Sequence, residues 1–133
     1  MKLKQLLREG YTAYPLSDKV RADLAKRFPP KFPDFIGHHI THVFPVSPHE
    51  ESPFPLGTPA TVKVIGHAEE DGLEALVVTV DGKAKRDDTK PYHITWSLDR
   101  SKGKRPVQSN QLVARGFTPV EPYEFTTELR FFN

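Results

Sequence analysis

Hydrophobic and polar positions along this 133-residue chain follow two periods. Val20, Leu24 and Phe28 recur at i, i+4 and i+8, which lays one apolar stripe along a helix of about three turns. Ser17 stands where an N-cap is needed, and Asp18 lies near the positive end of the helix dipole. The segment "FPPKFPDF" ends the helix, because proline cannot continue the hydrogen-bond ladder.

Elsewhere the pattern is that of strands. "GYTAYPLS" reads as a first strand, and "IGHHITHVF" as a second with Pro45 just beyond it. "ATVKVIGHAEE" and "LEALVVTVDG" form a hairpin through "EEDG", and "PYHITWSLD" is a further strand. The tail "FTPVEPYEFTTELRFF" supplies one or two late strands, restricted to edges or ends by Pro119 and Pro122. "PVSPHEESPFPLGTP", residues 45–59, is a proline-rich surface loop that either covers a ligand as a lid or simply connects strands. "KAKRDDTK" and "SKGKRPVQ" are polar loops, and "SNQLVARG" a short helical turn capped by Ser109. The expected class is α+β with strands dominating, in a single domain over residues 1–133.

Composition narrows the function. A chain of this length can bury roughly two-thirds of its unfolded surface in one core. It contains no apolar run near the ~20 residues of a membrane span, and "MKLKQLLREG" is too short and too charged in its apolar part for a signal peptide. Cysteine is absent, which removes disulfides, a thiolate nucleophile and cysteine-based metal sites. That favours a reducing compartment, and a cytoplasmic location is expected. A net charge of +2 gives no expectation of duplex DNA binding. Positive charge is nevertheless clustered, in Lys83, Lys85, Arg86 and Lys90, then in Arg100, Lys102, Lys104 and Arg105. These clusters are either solvated loop surface or a local attraction for phosphate, with Lys90 and Arg105 as candidate contacts.

The histidines carry the candidate chemistry. His38, His39 and His42 sit together as metal ligands often do. On a strand, however, His38 and His42 are ~13 Å apart, too far to share one ion. The i, i+4 spacing would suit a helix, but no HExxH glutamate accompanies it. A metal would need His49, His67 or a carboxylate from elsewhere, and none is expected.

The tripeptide His39-Ile40-Thr41 returns as His93-Ile94-Thr95. Alternation puts His39 and Thr41 on one strand face and His38, Ile40 and His42 on the other. In the second copy, Ile94, Trp96 and Leu98 face the core, leaving His93, Thr95 and Ser97 toward a cleft. Breaking a phosphodiester without a metal requires one group to deprotonate the nucleophile and another to protonate the leaving oxygen. Histidine suits both tasks near neutral pH, and a threonine two residues on can hold a phosphate oxygen. Two ordinary sheet histidines beside β-favouring threonines remain the alternative.

The pair "HHIT" and "YHIT", 54 residues apart, resembles the two-histidine (2H) phosphoesterase superfamily. That group includes LigT-like RNA phosphodiesterases, cyclic phosphodiesterases of RNA repair and phage anti-CBASS nucleases that degrade cyclic oligonucleotides. The resemblance covers most of the chain, through "YTAYPLS", the helix at Ser17, "FPDFIGHHITHVF" and "YHITWSLD". "RPVQSNQLV" is similar to the end of the small repair-type members.

The resemblance implies two β-rich lobes with antiparallel sheets facing across a cleft, one HxT motif from each. It implies His39, Thr41, His93 and Thr95 as the catalytic set, without cofactor. A nucleotide or short RNA is the implied substrate, as a 2′,3′-cyclic phosphate end or a cyclic oligonucleotide signal. The alternative is a non-catalytic nucleotide-binding module, a sponge using the same cleft. Tyr11, Tyr14, Tyr92, Trp96 and Phe117 could stack on a base. Trp96 is core by alternation, and Tyr11 and Tyr14 lie on different faces, so at most one reaches the cleft.

Overall fold

A computed structural model describes residues 10–46, 56–86 and 89–132. Much of the proline-rich 45–59 loop, and His49 with it, lies outside the described residues. The chain runs β1 (Gly10–Pro15), α1 (Asp18–Arg27), β2 (Asp34–Phe35), β3 (His39–Val46), β4 (Pro59–Glu70), β5 (Leu73–Val80), β6 (His93–Leu98), α2 (Ser109–Ala114), β7 (Thr118–Glu128) and β8 (Arg130–Phe132). The class is α+β. No helix among the described residues is long and apolar enough to cross a membrane.

Helix α1 forms as its stripe predicts. Ser17 Oγ accepts the Val20 N–H at 3.2 Å, Leu24 is fully buried, and Val20 and Phe28 pack against the same core. Helix α2 differs slightly from expectation: a 3₁₀ turn over Pro106–Gln108 leads into it, so Ser109 is its first residue and not its cap.

The expected pair of separate sheets is replaced by one antiparallel sheet, in the order β7-β4-β5-β6-β3-β1-β8 with β2 beside β6. The halves join where Ile40 of β3 pairs with Ile94 of β6. Two further bonds tighten that seam, from Ile36 N–H to the Trp96 carbonyl and from Gly37 N–H to the Thr95 carbonyl, at 2.9 and 3.0 Å. Strands β7 and β8 occupy opposite ends of this order, yet only Leu129 separates them in the chain. The sheet therefore has to curl until its edges approach, and Thr127 Oγ1 of β7 donates to the Pro15 carbonyl of β1 at 2.7 Å.

One core fills the α1 side with Tyr14, Ile40, Val62, Val64, Val78, Ile94, Trp96, Phe125 and Leu129 among others. A smaller core packs Leu112 and Val113 of α2 against Leu73, Ala75, Val77 and Leu98. Strand β5 thus has apolar side chains on both faces, as its continuous hydrophobic run requires.

Bulges decide which side chains change face. Ala75 pairs with Thr95 but Glu74 pairs with Ser97, so Trp96 is an extra residue in β6. The expected cleft position of Ser97 is overturned: it is buried and donates to Glu74 Oε1 at 2.6 Å. Leu98 correspondingly joins the α2-side core and not that of Ile94 and Trp96. Glu74 is wholly buried yet well satisfied. It also engages His67 Nε2 at 2.7 Å and accepts the Lys31 N–H at 3.1 Å. Burial pushes its carboxyl pKa up, and the bonds from His67, Ser97 and Lys31 outweigh that and hold it low. Together with Phe32 N–H donating to Ser97 Oγ, they tie the segment after α1 to the sheet.

Gly37 occupies a left-handed conformation at φ +50°, and a Cβ there would stand 2.7 Å from the Phe35 ring and 2.9 Å from Trp96. Backbone strain and overpacking act together at this seam. Gly37→Ala is expected to cost about 2 kcal/mol or more, measured by urea unfolding; a change under ~0.5 kcal/mol would contradict this account of the seam.

Candidate active site

Because β3 and β6 run antiparallel about the Ile40–Ile94 pair, His39 lies toward the Thr95 end and Thr41 toward the His93 end. With both isoleucines in the core, the alternate residues on each strand face away from it. A cleft of about 410 Å³ forms there, within the range of small-molecule sites. His39, Thr41, His93 and Thr95 all line it, together with Tyr11, Arg86 and Lys90.

The imidazoles are held differently. His93 Nδ1 lies 3.0 Å from the Pro91 carbonyl. A carbonyl only accepts, so Nδ1 carries the hydrogen and Nε2 presents a lone pair. Burial lowers the His93 pKa; the Pro91 bond works against this, and the Arg86 charge adds to it. His39 is stacked with Phe132 at 5.9 Å between ring centroids, and Tyr11 lies tilted over it at 5.1 Å. Burial, then the neighbouring His38 and His93, push the His39 pKa down to about 4. Both imidazoles are therefore neutral at pH 7. Thr95 Oγ1 donates to Ser109 Oγ at 3.0 Å, which ties β6 to the start of α2.

The flanking histidines take distinct places. His42 is the extra residue of a bulge, since Ala13 pairs with Thr41 and Thr12 with Val43. It is buried, with Nδ1 3.0 Å from Thr12 Oγ1 and its ring edge-on to Tyr14. His38 is exposed and contacts His39 Nδ1 through its own Nδ1 at 2.8 Å. These two therefore do not converge on a common point. His67, the other ligand candidate in described residues, is taken by Glu74.

One substrate contact expected from sequence is overturned. Tyr14 pairs with Ile40 across β1–β3 and is buried in the core, so it cannot meet a ligand. Arg105 is exposed just ahead of the lining residues Pro106 and Val107 and does not itself line the cleft. Tyr11 and Lys90 do line it. Among the other stacking candidates, Tyr92 and Trp96 are core, and Phe117 packs over Gly66 elsewhere. The basic clusters divide: Lys102 and Lys104 pair with Asp71 and Glu70, whereas Arg86, only 7% exposed, turns into the cleft.

Ile36, Pro106, Val107 and Asn110 complete the lining and were not singled out by the sequence. Nothing local marks Ile36 or Val107 as lining residues. Asn110 belongs to the "SNQLVARG" turn, and its Nδ2 donates to the Val107 carbonyl at 3.1 Å. No protein-family model, curated protein or solved structure matches the chain.

The depressed histidines have a consequence for folding. An unfolded chain takes up the His39 proton near 6.5, whereas the folded protein does so only at about 4. Stability is therefore fully present above that window and falls as pH drops through it. His39→Gln should lose less stability than the parent between pH 7 and 4.5, compared by urea midpoints. Equal losses in the two proteins would show that His39 is not held deprotonated.

Proposed function

We propose that this protein is a metal-independent phosphodiesterase of the two-histidine kind, acting on a cyclic nucleotide or the phosphodiester of a small RNA end. The observation that carries the reading is the meeting of both HxT motifs in one cleft beside Arg86 and Lys90. A phosphate drawn in by these cations would lie between two imidazoles, with Thr41 and Thr95 lining the same space.

In such a cleft one histidine takes the proton of the attacking hydroxyl, either a ribose 2′-OH or water. The other delivers a proton to the departing oxygen as the old P–O bond breaks. Attack by 2′-OH yields a 2′,3′-cyclic phosphate and a free 5′-OH; attack by water on a cyclic phosphate yields a monoester. Negative charge developing on the equatorial oxygens would be met by the Thr41 hydroxyl, by Thr95 once its O–H turns from Ser109 to the phosphate, by Arg86 and by the imidazolium. The anionic substrate itself favours protonation of one imidazole, since a nearby opposite charge raises a histidine pKa.

The neutrality of both histidines also suits a sponge that holds a nucleotide without cutting it. One assay separates the two readings. Purified protein in EDTA is incubated with 2′,3′-cyclic mononucleotides, short RNA, and cyclic di- and trinucleotides, with products identified by mass spectrometry. Cleavage is expected, with His39→Ala and His93→Ala each slowed on the order of 100-fold or more. Tight binding with every substrate intact would support the sponge. Loss of activity in His39→Ala alone, or dependence on added zinc or manganese, would refute the paired mechanism.

The pH dependence carries a sign. The profile of kcat/KM reports the free protein, in which both imidazole pKa values lie below 6.5. Its bell is expected to peak below pH 6.5, with the kcat profile displaced to higher pH by the bound phosphate. A kcat/KM optimum above pH 7 would contradict this.

A further inference from the structure

The two motif histidines differ in what stands behind them. Behind His93 is a carbonyl, which fixes a hydrogen on Nδ1 and leaves Nε2 as a base. Behind His39 is a second imidazole, with the two Nδ1 atoms 2.8 Å apart. One of these nitrogens must donate and the other accept. If His38 donates, His39 carries its hydrogen on Nε2 and presents a donor to the cleft, complementary to the acceptor that His93 presents. If His39 donates, both histidines present bare nitrogens and neither holds a proton for the leaving oxygen. His38 is exposed to solvent and lies edge-on against Phe132, 5.6 Å between centroids. His39 is the less exposed partner, between Tyr11 and Phe132.

We infer that His38 is a positioning residue that hands a proton from solvent to His39, making His39 the acid and His93 the base of the first step. This assignment rests on the phosphodiesterase reading of the cleft. The step balances in protons. His93 Nε2 takes the proton of the attacking hydroxyl as the new P–O bond forms. His39 Nε2–H passes to the departing oxygen as the old P–O bond breaks, while His39 Nδ1 receives the hydrogen of His38 Nδ1. His38 Nε2 takes up a proton from solvent as Nδ1 gives its hydrogen away, so His38 ends the step neutral. His39 ends it neutral too, with its hydrogen on Nδ1 and a lone pair on Nε2. That form is a base, and protonated His93 is an acid, so the roles are exchanged for a following attack by water. His38 thus gives the exposed first position of "HHIT" a task that an apolar residue could not perform.

Two measurements test this, one of them independent of turnover. Ring ¹⁵N spectra of the free protein at pH 7 should show His39 as the Nε2–H tautomer and His93 as the Nδ1–H tautomer. An Nδ1–H tautomer at His39 overturns the inference even where phosphodiesterase activity is found. In the second arm His38→Ala should lower kcat about tenfold or more with KM little changed, and free imidazole in solution should recover part of the loss. His38→Asn can still hydrogen-bond His39 but cannot pass a proton, so it should stay slow while thermal melting shows it folded. Turnover by His38→Ala or His38→Asn equal to that of the parent overturns the relay. Absence of turnover in the parent protein refutes the relay together with the phosphodiesterase reading, and the tautomers then report only on the hydrogen bond.

Discussion

The fold depends on one backbone pairing, Ile40 against Ile94. It joins the β1/β3/β8 edge of the sheet to the β4/β5/β6/β7 edge, and it buries two β-branched side chains in the main core. Because the strands run antiparallel, the residues flanking each isoleucine are brought together head to tail on the other face. A slip of either strand by one residue would turn that strand's motif histidine and threonine toward the core. The apolar middle residue of each HxT thus holds the register on which the polar outer residues depend. Gly37 supports the same register by letting the chain reach β6 through a left-handed turn beneath Phe35 and Trp96.

Bulges then edit what alternation alone would dictate. The one in β6 removes Ser97 from the cleft and delivers it to Glu74; the one in β3 places His42 beside Thr12 and Tyr14. Each converts a polar residue that looks functional in sequence into a hydrogen-bonded structural contact. The Glu74 cluster shows why this matters for stability. A carboxylate with no exposed surface is tolerated because His67, Ser97 and the Lys31 N–H all engage it, and losing one partner would leave a buried charge under-satisfied.

Burial and charge act together in the cleft. Burial among the cleft's neighbours keeps both imidazoles neutral, while Arg86 and Lys90 place cationic side chains on the same lining. An arginine that is 7% exposed differs from a surface lysine, since its charge is poorly screened by solvent. The basic run 83–90 therefore holds two kinds of residue: exposed Lys83 and Lys85, and the cleft-lining Arg86 and Lys90.

Short-range pattern was enough to place α1 and its Ser17 cap, the β4–β5 hairpin, the edge position of β7 and the core fate of Trp96. These follow from period, turn chemistry and the missing proline N–H, all local properties. The repeated HIT was legible for the same reason, since alternation puts its histidine and threonine on one face wherever the strand lies. The joining of the strands into one curled sheet, the burial of Tyr14, the departure of Ser97 and the arrival of Arg86 and Asn110 in the cleft were not legible. Each depends on strand register or on a loop folding back across the sheet, so the partner lies far away in the chain. Sequence alone determined which residues could share a face; only the tertiary structure decided which faces meet, because pairing and bulges are settled by long-range packing.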